Sequence, residues 1–371
     1  MNIPFADSLL HAYVARGARA RAVAPIAEWR LADTERVLLV LTTGLGDAIL
    51  STPVFPAVRK ALPHADVRLL CRAAWAPLFE GDPDIDRVIA YPGKYRRFFP
   101  LVRALRTFRP DLAIILHGND PDIIPLAYLA GSRFIVRIPT AGTRYGFLLS
   151  NRDRDSDRET VPGVHYIDNR LRILDTLGIA PVTTAPRVHL DPALQERARA
   201  EHEARRRPRP YWVLHAFAAD TYKNWPASRS HDLLARTAER YPKHTVLLTG
   251  AREERPALLD IAAGFSHARV VAGEMNIAET AACLADAACV VGPDTGVLHL
   301  AAALGAPVVG LYGATSAALV GPRSGHPASV VIEKPTDSAR VGRQFAAKAG
   351  TGMARITVDE VLAAMSRVLG R

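Results

Sequence analysis

Short, almost unbroken apolar runs alternate along the chain with stretches of helix length. Val37–Leu41 is the first such run; it ends in Thr-Thr-Gly-Leu-Gly-Asp and gives way to a segment of helical character reaching Leu62. Further runs follow at Val67–Cys71, Arg87–Ala90 and Leu112–Leu116, with helix-length pieces such as Pro100–Phe108 between them. Strands that are apolar at nearly every position are covered on both faces, and alternation with helices makes them parallel. After a helix-like stretch at 165–179 and a Pro-containing connection at 181–192 the rhythm restarts. Tyr211–His215, Thr245–Leu248, Val270–Val271, Cys289–Val291 and Val308–Leu311 predict the second set of strands. The tail, 356–370, predicts a last amphipathic helix that begins at Thr357, with Glu360 three residues on to complete a capping box.

This pattern predicts an α/β protein of two doubly wound, Rossmann-like parallel-sheet lobes, with ligands at the carboxyl ends of their strands and facing a central cleft. A length of 371 residues exceeds what one hydrophobic core comfortably serves. We divide the chain into an N-terminal extension at 1–35, a first lobe at 36–185, a second lobe at 186–345, and a C-terminal helix at 346–371 expected to pack back on the first lobe. The boundary itself falls within 180–210.

Composition narrows the function classes. Hydrophobic residues make up 49% and charged residues 23% of the chain, as in a folded soluble protein, and no apolar run is long enough to span a bilayer. The N-terminus lacks the ordered parts of a secretion signal, so a cytoplasmic location is expected. Leu9, Leu10, Tyr13 and Val14 gather on one side of an N-terminal helix, for which core packing and a peripheral contact with a membrane surface are competing readings, core packing being the favoured one. Three cysteines, Cys71, Cys283 and Cys289, form no CxxC pair and suggest neither disulfide nor zinc. The net charge of +10 favours an anionic partner.

Candidate chemistry sits at strand ends. In Gly-Pro-Asp-Thr-Gly-Val-Leu-His, residues 292–299, a strand hands over to an Ala-rich helix with Asp294 or Thr295 as N-cap; Gly296 clears space for a ligand and His299 lies one turn in. Such a helix entrance suits phosphate, and a purely structural cap explains Asp294 equally well. Gly46 and Asp47 belong to the Gly-Leu-Gly-Asp stretch at 44–47 that follows the first strand, where glycines turn the backbone and admit a ligand; GxGxxG spacing is missing, so a dinucleotide site is not indicated, and Asp47 taken alone reads as a helix cap. Lys223 follows the strand at 211–215 and can neutralise a phosphate. Asp82/Asp84, Asp120/Asp122 and Asp153/Asp155 are Asp-x-Asp pairs that read mainly as turns, and no metal is expected. Lys94, Arg96 and Arg97 open a basic, aromatic stretch at 93–109 that fits an anionic acceptor better than a nucleic acid, and His117, Asn119 and Asp120 follow the strand at 112–116 as further acceptor-side candidates.

Taken together, the stretches 37–67, 215–226 and 290–316, with a weaker match at 352–361, resemble glycosyltransferase family 9, the heptosyltransferases that build the inner core of bacterial lipopolysaccharide. The resemblance implies a GT-B fold and inverting, metal-independent transfer of a sugar from a nucleotide-sugar donor, ADP-heptose above all, to an anionic glycan or glycolipid acceptor. It implies that the first lobe binds acceptor and the second binds the donor. On the matching positions Asp47 resembles the general base, and Lys223, Asp294, Thr295, Gly296 and His299 resemble the donor set. Met275 resembles a residue near the donor nucleotide, and Glu254 a ribose or base contact. Alternatives are a family member acting on a protein or small molecule, a nucleotide-sugar epimerase, and a non-catalytic donor-binding protein.

Overall fold

A computed structural model of the chain describes residues 3–118, 120–138, 144–152, 161, 163–204, 210–323, 326–334 and 352–369. The chain divides into two compact units, Met1–Thr184 and Ala185–Arg371.

In the first unit α1 (Ile3–Ala20) precedes β1 (Arg36–Leu41), α2 (Leu45–Ser51), α3 (Val54–Ala61), β2 (Asp66–Arg72) and β3 (Arg87–Tyr91). α4 (Phe98–Phe108), β4 (Leu112–His117), α5 (Ile123–Leu129), β5 (Phe134–Arg137) and α6 (Tyr166–Thr176) complete it. All pairings are parallel, in the order β3-β2-β1-β4-β5. The central β1 and β4 are buried along almost their whole length, while the edge strand β3 is half exposed. The side chains of one sheet face, such as Leu38, Val40, Ile115 and Ile135, join Val14 of α1, Leu105 of α4 and Leu126 of α5 in a single core. The helical segment expected after β1 is broken into α2 and α3 around Thr52-Pro53, where proline cannot supply a backbone donor.

The second unit runs α7 (Pro192–Ala204), β6 (Tyr211–His215), α8 (Ala227–Arg240), β7 (Thr245–Thr249), α9 (Arg255–Ala262), β8 (Ala268–Val270) and α10 (Ile277–Ala285). It continues with β9 (Val290–Pro293), α11 (Gly296–Ala303), β10 (Val308–Tyr312), α12 (Ala317–Val320), β11 (Val330–Glu333) and α13 (Val358–Leu369). Its parallel sheet has the order β11-β10-β9-β6-β7-β8. Both sheets therefore grow outwards in two directions from their first strand, and the order reverses between β1 and β4 in one and between β6 and β9 in the other. Ligands of doubly wound sheets bind at such a reversal, beyond the carboxyl ends of the strands.

Val361, Leu362 and Met365 of α13 lie in the second unit's core with Leu233, Leu258 and Ile261. The start of this helix is as expected: Glu360 N–H donates to Thr357 Oγ1 at 3.3 Å and Thr357 N–H to Glu360 Oε2 at 2.9 Å. Just before it, a Cβ on Gly313 would lie 2.3 Å from the Met353 nitrogen, which explains the glycine after β10. Among the described residues no helix is long and apolar enough to cross a membrane.

Candidate functional site

Each unit carries a cluster of charged side chains at its strand reversal. In the first, β1 ends in Thr42 and Thr43, and Gly44 caps α2 with Asp47 in the first helical turn, where a carboxylate is favoured by the helix dipole. Gly46 thus lies inside α2 and not in the turn expected for it, because the helix starts at Leu45. The loop is held from behind: Trp75 Nε1 donates to the Thr43 carbonyl at 3.0 Å and Arg72 Nε to that of Thr42 at 3.1 Å. Asp47 accepts from the Thr43 hydroxyl at 3.1 Å and pairs through Oδ1 with Arg170 of α6. Burial pushes the Asp47 carboxyl up, but the guanidinium beside it, with His117 and the Thr43 hydroxyl, more than reverses this and holds it below the usual carboxylate value.

Arg170 is the functional group that sequence reading missed. Its side chain is 7% exposed, and its Nε and Nη1 are buried without a hydrogen-bond partner among the described residues. The signal was in the spacing: Ile167, Arg170, Leu171 and Leu174 form one buried stripe of α6, and a charge inside such a stripe has to be paired.

The acceptor-side candidates divide. His117 ends β4, and burial pulls its imidazole down to about 4 although Asp47 opposes this, so it is neutral at physiological pH. Asp120 is buried and faces Arg72 at 3.5 Å and Lys94 at 3.6 Å; it orients two cations. Lys94, Arg96 and Arg97 are exposed on the turn between β3 and α4. Asn119, like Asp153 and Asp155, lies outside the described residues. The other Asp-x-Asp pairs are structural, since Asp82 accepts the Asp84 N–H at 3.0 Å and Asp122 accepts the Tyr91 hydroxyl at 2.7 Å.

In the second unit the loop after β6 brings Lys223 to the end of β9. Lys223 Nζ donates to Asp294 Oδ2 at 2.7 Å, and His299 Nε2 meets Asp294 Oδ1 at 3.1 Å. A carboxylate only accepts, so Nε2 carries the proton; Nδ1 is buried without a partner among the described residues. Burial pushes Asp294 up, yet the bonds from His299 and Lys223 bring it down to about 2. For Lys223 burial acts downwards, and Asp294 more than offsets it. Between the two expected caps the structure selects Thr295, whose hydroxyl accepts the Leu298 N–H at 3.3 Å. Gly296 and Val297 then present their N–H groups at the start of α11 with no intrahelical acceptor.

Glu254 and Met275 stand beyond β7 and β8 of the same sheet. Glu254 Oε2 is taken by the Ala251 N–H at 2.7 Å, which leaves Oε1 for other contacts. Met275 is half-buried and directly precedes Asn276, the N-cap of α10, whose N–H donates to Glu279 Oε2 at 2.8 Å and whose Oδ1 accepts the Glu279 N–H at 2.9 Å. The three cysteines are free and buried, and burial pushes the Cys71 thiol up to about 12.

Residues 123–345 match the family described as Glycosyltransferase family 9 (heptosyltransferase). The chain is 25% identical over 287 residues to lipopolysaccharide heptosyltransferase 3 of Escherichia coli, covering 73% of this chain and 81% of that one. It is 27% identical over 312 residues to lipopolysaccharide heptosyltransferase 1 of Pseudomonas aeruginosa, covering 77% and 81%. The solved structure of E. coli ADP-heptose lps heptosyltransferase II superposes with a TM-score of 0.72 at 20% identity, over 90% of this chain and 98% of that one; the fold is shared.

Proposed function

The chain belongs to glycosyltransferase family 9, the heptosyltransferases, and from that premise we propose that it transfers a heptose from ADP-heptose to an anionic lipopolysaccharide-core acceptor, with inversion and without a metal. The donor is suggested by the solved relative named for ADP-heptose. The observation that carries the chemistry is Lys223, a cation fixed by Asp294 beside the start of α11 at the strand reversal of the second unit.

The acceptor hydroxyl attacks the anomeric carbon, the bond from that carbon to the diphosphate oxygen breaks, and the diphosphate leaves with the electron pair. Asp47 takes the hydroxyl proton as the new C–O bond forms. The remaining N–H donors of Lys223 and those of Gly296 and Val297 meet the charge that develops on the leaving diphosphate, the role a divalent ion has in other transferases. Asp294 has both oxygens occupied and touches no phosphate; it keeps Lys223 and His299 in place. Glu254 and Met275 are assigned to the nucleoside end of the donor, and Gly46 to close passage of the donor over α2. Arg72, Lys94, Arg96 and Arg97 offer positive charge to the acceptor, with His117, Asn119 and Asp120 around it. On this reading the protein acts in the cytoplasm, on an acceptor carried by the inner membrane.

The test is product analysis. With ADP-heptose and a heptose-free core acceptor, in the presence of a chelator, we expect one added heptose by mass spectrometry and a product anomeric configuration opposite to the donor's by NMR. Conversion of the donor sugar without acceptor would replace this reading with an epimerase.

A further inference from the structure

The outer face of α4 carries chemistry that sugar transfer does not use. Residues 98–110, which no step of the transfer uses, hold Arg103, Arg106 and Arg109 and no aspartate or glutamate, in a chain whose whole excess is +10. α4 turns Leu101, Leu105 and Phe108 into the core and leaves Phe99, Arg103 and Arg106 on its other side, with Val102 and Thr107 beside them. These positions recur at three- and four-residue spacing, so they form one face. Phe99 is 82% exposed, more than any other large apolar side chain among the described residues.

The turn that launches α4 holds a fixed shape. Tyr95 and Arg97 have φ of 55° and 51°, the left-handed region that side-chain-bearing residues avoid unless their surroundings enforce it. Asp122 enforces it by accepting the Tyr95 N–H at 2.9 Å, and the Tyr95 hydroxyl donates to Asp7 of α1 at 2.8 Å. α1 packs on α5, as α4 does, and repeats the composition: Leu9 and Tyr13 are 56% and 66% exposed, Arg16 and Arg19 are exposed, and its one acid, Asp7, is buried.

We propose that the outer face of α4 docks on an anionic phospholipid bilayer, with Arg103 and Arg106 against headgroup phosphates and the Phe99 ring in the interface. Cations around an exposed aromatic ring are what an interfacial helix uses, the charge drawing it to the surface and the ring anchoring it. A single-stranded nucleic acid is the weaker fit, because it needs successive stacking rings and the face offers one.

Vesicle binding by the full chain tests this without any turnover, so its outcome is independent of the transfer reading. Sedimentation with vesicles of phosphatidylcholine alone, or of equal parts phosphatidylcholine and phosphatidylglycerol, should show at least about tenfold tighter binding to the mixture, weakened by salt. Arg103→Glu with Arg106→Glu should reduce binding to the neutral-vesicle level, the paired lysine variant should retain it, and Phe99→Ala should lose roughly fivefold with the salt dependence intact. Circular dichroism establishes that each variant is folded. Equal binding of the wild type to both vesicles, undiminished binding by the charge-reversed protein, or preference for a single-stranded oligonucleotide over the mixed vesicles would overturn the proposal.

Discussion

Asp47 and Asp294 are each a carboxylate beside a cation at the strand reversal of a doubly wound sheet, and they differ in exposure and in how their oxygens are occupied. Asp47 is 36% exposed at the side chain and shares one oxygen with Arg170 and the other with a single hydroxyl. Asp294 is 10% exposed, with Lys223 on one oxygen and His299 on the other. A half-buried carboxylate that still reaches solvent and keeps spare lone pairs can take a proton from a substrate. An enclosed one with a cation and an imidazole on it serves as a strut. A motif carrying Asp therefore leaves the role open, and exposure and occupancy decide it.

The largest effect we expect separates the two directly. Asp47→Asn preserves an acceptor for Arg170 but cannot act as base, and turnover should fall by about 10²–10⁴-fold with donor affinity nearly unchanged. Alanine is the poorer choice there, since it strips a buried guanidinium of its ion-pair partner and adds a folding cost to the catalytic one. Asp294→Ala should show the reverse emphasis: it leaves Lys223 and His299 uncompensated, and chemical denaturation should register a loss of roughly 3–5 kcal/mol alongside weakened donor binding.

Next in size is a pH effect in the first unit. Arg170 holds Asp47 below its ordinary value, so Arg170→Gln should move the acid limb of the kcat/KM profile to higher pH. Arg170→Lys should move it less, and a purely structural role would leave the limb in place. In the second unit the corresponding readout is stability. Asp294 is lowered from 3.8 to about 2 on folding, so its contribution is complete above pH 4 or so and is lost as pH falls through about 2. Acid unfolding of wild type and Asp294→Asn should converge in that window. The smallest effect belongs to Thr295→Ala, which removes the N-cap bond of α11 and should cost about 1 kcal/mol.

Much of this was legible in the residues. Nearly every predicted strand is a strand, because buried parallel strands announce themselves as continuous apolar runs. β5 and β11 went unread: both are four-residue outer strands whose apolar runs, Phe134–Val136 and Val330–Ile332, are only three residues long and end in a charged residue. Lys223, Asp294 and His299 are brought together as the motif suggested, although its spacing could not tell that Asp294 would be consumed by both partners. Arg170 escaped because helical periodicity averages over one charged residue in an apolar stripe. Gly46 was misplaced because glycine signals a turn, and here the helix had already begun.

Isothermal titration of ADP into Asp47→Asn and Lys223→Ala, set beside the turnover of each, most directly tests the division of labour between the two carboxylate–cation sites. We expect the Asp47 variant to bind ADP as the wild type does while turning over almost nothing, and the Lys223 variant to lose ADP binding. Wild-type ADP affinity in the Lys223 variant together with its loss in the Asp47 variant would contradict the assignment of diphosphate to the second unit and proton removal to the first.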